Sequence, residues 1–270
     1  MPMITLNGLE VFYEARGSGE PVLLVHGLGS STEDWEPQVN ALRREFTVVA
    51  YDVRGHGRTA KPAGAYSVSQ FAADAAALIS ALKLGPVHVV GLSMGGMIAF
   101  QLAADHPELV RSLVIVNSGP EMVLRTFKEK LGIVQRRLIV RLMGMRKMGK
   151  VLAEKLLPGA EHQARRGIFA DRWARNDSGA YLRALSALVG WSVTAKLPAI
   201  RQPVLVVAAD QDYTSVAWKQ WYTSLMPNAT LAVIPESRHM MPIERPQLFH
   251  EALLPFLASA GMGNGGAVAR

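Results

Sequence analysis

The sequence predicts an α/β fold with a mostly parallel, doubly wound β-sheet, an N-terminal β-hairpin and an inserted helical cap. Short, nearly continuous apolar runs alternate with helical patterns over the first 120 residues and again from residue 203. Such runs are typical of strands buried on both faces of a parallel sheet. Residues 121–191 interrupt this alternation and are helical in pattern. We therefore expect a core of residues 1–120 and 192–260, a cap of residues 121–191 and a flexible tail over 261–270.

The predicted strands follow in chain order. Asn7-Gly8 is a strong turn signal, and it separates Met3–Leu6 from a second strand at 10–15, which together form the hairpin. The later apolar runs predict strands at 21–26, 46–52, 87–93, 112–118, 203–209 and 229–235.

The predicted helices lie between these strands. The first, 67–84, begins with Ser67 and Gln70 in a capping-box pattern and ends before Gly85-Pro86. Three others are expected at 94–106, 216–226 and 247–257. In the cap, one apolar stripe at helical spacing is expected to face the site, with basic residues facing water: Val134, Leu138, Leu142, Met145, Met148, Leu152 and Leu156.

The composition excludes several classes of protein. Apolar residues make up 49% of the 270 and charged residues 19%, which is incompatible with intrinsic disorder. There is no cysteine, so a disulfide scaffold, a thiolate zinc site and a cysteine nucleophile are excluded. Neither a secretory signal pattern nor an apolar run of about 18 residues is visible. We therefore expect a soluble cytoplasmic protein.

The positive charge belongs to one segment. The net charge is +7, yet residues 121–176 hold 14 basic and 5 acidic side chains, so the remaining chain is slightly negative. Nucleic-acid binding by the whole domain is therefore not expected. We favour a cap with a solvated basic face over two alternatives, steering of anionic substrates and contact with an anionic membrane. The sequence does not indicate an oligomeric state.

A G-x-S-x-G motif, Gly91-Leu92-Ser93-Met94-Gly95, follows a predicted strand and opens a predicted helix. This strand–turn–helix context strains the serine and exposes its hydroxyl above the sheet edge. The helix N-terminus adds positive potential where an oxyanion would form. Ser93 is therefore the candidate nucleophile.

A serine nucleophile needs a base and an orienting carboxylate. Of the seven histidines, His239 lies in a loop after the last strand, at the sheet edge where sites of open α/β folds form. Asp210 and Asp212 both follow the strand at 203–209. From its position, either carboxylate could reach His239.

These residues belong to a set of motifs in a characteristic order. The chain resembles the α/β-hydrolase superfamily over residues 4–120 and 195–258, and most closely its enol-lactonase and small-carboxylesterase branch. Besides Trp35, the matching motifs are His26-Gly27-Leu28-Gly29, Asp52-Val53-Arg54-Gly55-His56-Gly57, the elbow Gly91–Gly96, and His239 followed by Glu244-x-Pro246.

The resemblance implies a role for each site residue. Ser93 is the nucleophile, His239 the general base and Asp212 the orienting acid, aligned by a G-x-x-D pattern whose glycine is Ala209 here. The backbone N–H groups of Leu28 and Met94 are expected to form the oxyanion hole.

The resemblance also suggests residues around the triad. Trp35, Met97 and Met240 are candidates for the pocket wall, with a core role equally open for Trp35 and Met97. Arg238 replaces a family glycine; it could line the entrance, although we favour a solvent-facing side chain. Four further motif residues are expected to be structural: His26, Asp52, Arg54 and His56.

The expected function is a cofactor-free, metal-free serine hydrolase that cleaves a small-molecule carboxylic ester or lactone through an acyl-enzyme on Ser93. A serine at the elbow and Leu28 in the oxyanion loop differ from the pattern of haloalkane dehalogenases, and the serine differs from that of epoxide hydrolases. Carbon–carbon bond hydrolysis or perhydrolysis on the same triad is an alternative. A slow-turnover, ligand-sensing protein is another.

Overall fold

In a computed structural model, which describes residues 2–262, the strands form one eight-stranded sheet in the order β1-β2-β4-β3-β5-β6-β7-β8. The β1–β2 and β2–β4 pairs are antiparallel, and all other neighbouring pairs are parallel. The predicted mostly parallel sheet with an N-terminal hairpin is therefore confirmed. The strands are β1 (Met3–Leu6), β2 (Leu9–Arg16), β3 (Glu20–Val25), β4 (Phe46–Tyr51), β5 (Val87–Leu92), β6 (Val110–Val116), β7 (Val204–Ala209) and β8 (Ala229–Ile234).

Helices cover both faces of this sheet, which is why β5 and β7 are buried along their whole length. One core cluster contains side chains of α2 and α3, and the other contains side chains of α1 and α9. The helices are α1 (Glu36–Leu42), α2 (Val68–Ala81), α3 (Met94–Asp105), α4 (Phe127–Leu156), α5 (Gln163–Ala174), α6 (Ser178–Leu188), α7 (Val216–Thr223), α8 (Met241–Glu244) and α9 (Pro246–Met262).

The segment between β6 and β7 contains α4, α5 and α6. Thr126 and Glu129 form a capping box at the start of α4, which fixes where this long helix begins. Several polar contacts attach the segment to the residues that follow β3. Arg172 forms an ion pair of 2.7 Å with Asp34, and Asn176 Nδ2 donates to the carbonyl oxygen of Gly29 at 2.8 Å.

The apolar stripe of α4 does not face inward along its whole length, so that expectation is wrong for its first half. Val134, Leu138 and Leu142 are exposed, whereas Met145, Met148, Leu152 and Leu156 are buried. The two halves meet at Gly144, whose φ of 75° and ψ of 177° are not helical. Because this backbone break separates two helical pieces, the regular helical spacing of apolar residues along the sequence does not correspond to one continuous buried face.

The predicted tail lies mostly outside the described residues. Gly261 and Met262 are the last residues of α9, and residues 263–270 are not described. Within residues 2–262, none of the helices combines the length and the apolarity needed to cross a membrane.

Candidate active site

Ser93 lies at the sharp turn between β5 and α3. Its φ of 55° and ψ of −116° fall in a sparsely populated region for a side chain other than glycine. The turn is held by a bond of 2.9 Å from Ser93 N–H to the carbonyl oxygen of Val116. A Cβ at Gly95 would lie 1.9 Å from the Val25 carbonyl oxygen, so glycine is required for this close approach of helix and sheet. The motif therefore adopts the predicted strand–turn–helix geometry.

Two backbone N–H groups are available beside Ser93. Met94 is the first residue of α3, so its N–H has no intrahelical acceptor. Leu28 follows Gly27, where a Cβ would lie 3.5 Å from Ser93 Cβ. Within the described chain, neither N–H donates a hydrogen bond to another residue.

His239 and Asp212 form a close pair. Nδ1 of His239 lies 2.6 Å from Oδ1 of Asp212, and the Tyr213 ring lies 4.5 Å from the imidazole, centroid to centroid. Asp210 has a different role, because its carboxylate accepts hydrogen bonds from the backbone N–H groups of Glu236 and Ser237, both at 3.1 Å. Of the two carboxylates that sequence position left open, the structure places Asp212 against the ring.

A buried lysine completes this arrangement. Lys219 Nζ donates to Oδ2 of Asp212 at 2.7 Å and to the carbonyl and hydroxyl oxygens of Thr214, both at 2.8 Å. Its side chain is fully buried. Burial alone would raise the pKa of the Asp212 carboxyl, but hydrogen bonds and charge from His239 and Lys219 lower it to about 2. Asp212 is therefore ionised and held from both sides.

Sequence reasoning missed Lys219 because lysine is almost never fully buried. It also missed Asn117, whose side chain bridges three segments. Asn117 Nδ2 donates to the carbonyl oxygens of Arg238 and His239, both at 3.0 Å, and its Oδ1 accepts from the Ala209 N–H at 2.8 Å. Asn117 thus ties the loop that carries His239 to the ends of β6 and β7. Its position near the end of the predicted strand that precedes the cap was the only available signal.

Ser93 and His239 line one cavity of about 250 Å³. The cavity is closed on one side by helices of the segment between β6 and β7, called the insertion below. No hydrogen bond joins Ser93 Oγ to the imidazole within residues 2–262. Of the predicted wall residues, Met97 and Met240 line the cavity. Trp35 does not, because its side chain is buried in the core cluster that contains α1 and α9. The insertion contributes mainly apolar side chains: Leu152, Leu156, Phe169, Trp173, Leu185 and Leu188.

The other motif residues lie in structural contacts. Nε2 of His26 accepts from the Val53 N–H at 2.9 Å. Asp52 accepts from the N–H groups of Thr32 and Arg58, both at 2.7 Å. Burial lowers the pKa of His56 to about 3, so its ring is neutral. Arg54 forms an ion pair with Asp74.

The Arg238 side chain does not line the cavity and is 32% exposed. Its Nη1 lies 3.1 Å from Oε1 of Glu244, and its backbone N–H donates to Oε2 at 2.6 Å. The Arg238 side chain is therefore partly exposed outside the cavity, and the carboxylate of Glu244 in α8 holds both its backbone and its guanidinium. Among the described residues, no group of three or more histidine, aspartate or glutamate side chains is arranged to hold a metal ion.

The fold and this geometry are those of one protein family. Residues 20–246 match the family model described as alpha/beta hydrolase fold, and the chain belongs to the α/β-hydrolase family. It is 34% identical over 265 residues to the protein named "Putative carbamate hydrolase RutD" from Variovorax paradoxus (strain S110), with 93% of this chain and 97% of the relative covered. It is also 27% identical to 3-oxoadipate enol-lactonase 2 of Acinetobacter baylyi, with 93% and 94% covered.

A solved structure is similar over the same length. The enol-lactonase from Burkholderia xenovorans LB400 superposes with a TM-score of 0.85 at 27% identity, covering 95% of this chain and 100% of that one. The predicted resemblance to the enol-lactonase-like branch is therefore confirmed. The family and these relatives make the chain a hydrolase.

Proposed function

We propose that this hydrolase cleaves carboxylic esters or lactones through an acyl-enzyme on Ser93. The observation that carries the proposal is the placement of a strained serine in the same cavity as a histidine ring backed by an ionised carboxylate. A neutral alcohol is a weak nucleophile, and this arrangement supplies the base that activates it.

Each step of the proposed reaction is assigned to particular residues of the site. His239 takes the hydroxyl proton of Ser93 as Oγ attacks the carbonyl carbon, and Asp212 stabilises the imidazolium that forms. The oxyanion accepts from the N–H groups of Leu28 and Met94, a contribution commonly worth about 3 kcal/mol per donor. His239 then protonates the leaving alcohol. Water attacks the acyl-enzyme with His239 again as base, which releases the acid and restores the serine.

The test is a burst experiment with a short nitrophenyl ester. We expect wild type to release nitrophenol in a burst stoichiometric with protein, and a fluorophosphonate probe to label it. Ser93→Ala should lose both the burst and the labelling. Equal hydrolysis by wild type and variant would contradict the assignment.

The cavity also holds a cation that favours acidic substrates. Of its described lining residues, Arg136 is the only arginine or lysine. Its Nε donates to the hydroxyl of Tyr181, and no described carboxylate lies within ion-pair distance of it. The Glu121 carboxylate, which also lines the cavity, is paired with Arg125. A substrate carboxylate remote from the scissile bond would therefore find a partner in Arg136.

Paired esters measure this preference. We compare nitrophenyl butyrate with the mono-nitrophenyl ester of succinate, which differ mainly in a terminal carboxylate. Arg136→Gln should lower kcat/KM for the anionic ester about tenfold or more relative to the neutral one, as expected for a charged hydrogen bond. Arg141→Gln, an exposed cation on the same helix, is the control. An unchanged ratio in Arg136→Gln would contradict the role of Arg136 without affecting that of Ser93.

A second candidate reaction is carbamate hydrolysis, favoured by the relative that carries that name at 34% identity. Release of ammonia from carbamates, measured beside ester and lactone hydrolysis, separates these reactions. Ring-cleavage products and a perhydrolysis assay test the remaining chemistries of the triad. A turnover of minutes or longer, far below the usual range of roughly 1–10³ s⁻¹, would instead favour a ligand sensor.

A further inference from the structure

The first half of α4 exposes an apolar stripe that nothing in the described chain covers. Phe127 and Leu142 are 80% and 79% exposed, and the three side chains between them on the stripe are 42–49% exposed. At about 100° per residue, these five positions fall within roughly 80° of the helix circumference. This stripe, called the outer face of α4 below, consists of Phe127, Leu131, Val134, Leu138 and Leu142.

Cations flank the outer face. By helical position, Lys130, Arg137 and Arg141 lie along one side of it and Lys128 along the other. The only acidic residue of residues 127–143 is Glu129, and its carboxylate accepts the backbone N–H groups of Arg125 and Thr126 in the capping box. The outer face is therefore an apolar row beside a basic border with almost no compensating negative charge.

The opposite side of the same helix segment faces the cavity, where Arg136 lies. The outer face is thus separate from the reacting groups, and its side chains do not line the cavity. An apolar row with a basic border is the pattern of helices that lie in the interface of an anionic lipid layer. Exposed apolar rows of this size otherwise mark interaction surfaces.

We propose that the outer face of α4 docks this protein on an anionic phospholipid surface. The five apolar side chains enter the boundary between headgroups and acyl chains, and the flanking cations contact lipid phosphates. Charge argues against a second copy as the occupant. A two-fold contact through this face would bring the basic borders of both copies together, with Glu129 already engaged in its own helix cap.

Vesicle sedimentation tests the proposal with the full chain. Wild type should sediment with vesicles that contain phosphatidylglycerol and much less with vesicles of pure phosphatidylcholine. High salt should reduce the fraction bound to the phosphatidylglycerol vesicles. Phe127→Ser combined with Leu142→Ser should lower the partition coefficient about tenfold or more. Lys128→Gln, Lys130→Gln and Arg141→Gln together should abolish the preference for the anionic lipid.

The matched control is Ile168→Ser, which removes an exposed apolar side chain of α5 (54% exposed) outside the outer face. It should bind vesicles like wild type. All variants should hydrolyse a water-soluble ester at the wild-type rate, which shows that they are folded. The proposal would be overturned if the wild-type protein stayed in the supernatant with both kinds of vesicle. It would also be overturned if sedimentation velocity showed a wild-type dimer that the Phe127→Ser and Leu142→Ser double variant dissociates.

Discussion

The carboxylate of Asp212 lies between an imidazole and a buried ammonium group. One oxygen bonds to His239 and the other to Lys219. In the usual form of a serine triad the acid orients the base and stabilises its positive charge. Here the lysine neutralises part of that same negative charge, so Lys219 is expected to influence the proposed base, His239, through Asp212 without touching the substrate.

The two neighbouring aspartates provide a matched comparison. Asp212→Asn removes the charge that orients and stabilises His239, and we expect kcat to fall by about 10³–10⁴. Asp210→Asn changes a carboxylate that accepts only loop N–H groups, and we expect less than a tenfold loss. Steady-state ester hydrolysis measures both. A larger loss in Asp210→Asn than in Asp212→Asn would contradict the assignment of the acid.

Replacing Lys219 tests its action through Asp212. In Lys219→Met, the negative charge of Asp212 is no longer compensated by an ammonium group. The uncompensated carboxylate then favours the protonated form of the imidazole more strongly. The acidic limb of the kcat/KM–pH profile should therefore move to higher pH. Lys219→Arg should keep the limb near its wild-type position. A lower kcat/KM with an unshifted profile in Lys219→Met would indicate a purely structural lysine.

At the scale of elements, the break in α4 separates two segments of the helix with different surroundings. After Gly144 the helix buries its apolar side chains in the core that closes the cavity. Before Gly144 it exposes the outer face and directs Arg136 inward. In a continuous helix, the apolar side chains of both segments would lie on the same face. The backbone conformation at Gly144 therefore decides which apolar residues reach the site.

Two glycines of α4 test the cost of this break. Gly144 has a φ of 75° and a ψ of 177°, a conformation open essentially only to glycine, so Gly144→Ala should lower the free energy of unfolding by about 2 kcal/mol. Gly132 lies in the helix, and a Cβ added there would meet no atom of another part of the protein within 4 Å. Gly132→Ala should therefore stabilise by roughly 0.5–1 kcal/mol. Urea denaturation distinguishes them, and a stabilising Gly144→Ala would contradict a native break at this position.

At the scale of the whole molecule, three histidines are buried in the core of the sheet and its loops. Burial lowers the pKa of His26, His56 and His88. The unfolded chain, with histidine pKa values near 6.5, takes up protons that the native state excludes. These groups therefore stabilise the fold fully above about pH 6.5 and progressively less below it.

The free energy of unfolding should consequently decrease as the pH falls from 7.5 to 5. Each buried histidine contributes a slope of up to about 1.4 kcal/mol per pH unit. His56→Asn should reduce the slope, because it removes one ring that the native state keeps unprotonated. Urea unfolding at several pH values measures this. A stability that does not change over this range would contradict the exclusion of protons from these rings.

The sequence by itself determined the order of the elements and the region of the site. Strand runs and helix periods depend on local spacing, so the hairpin, the parallel strands and the strand–turn–helix at Ser93 could be predicted directly. The same reasoning located His239 and narrowed the acid to two neighbouring aspartates, because the carboxyl ends of parallel strands meet at one edge.

Only the tertiary structure decided which groups face each other. It placed Asp212 against His239, buried Lys219 behind it, tied the histidine loop to Asn117 and directed Trp35 into the core. It also turned half of an apolar stripe outward. The physical reason is that periodicity fixes which side chains share a face, whereas contact with a particular partner depends on packing between segments distant in the chain.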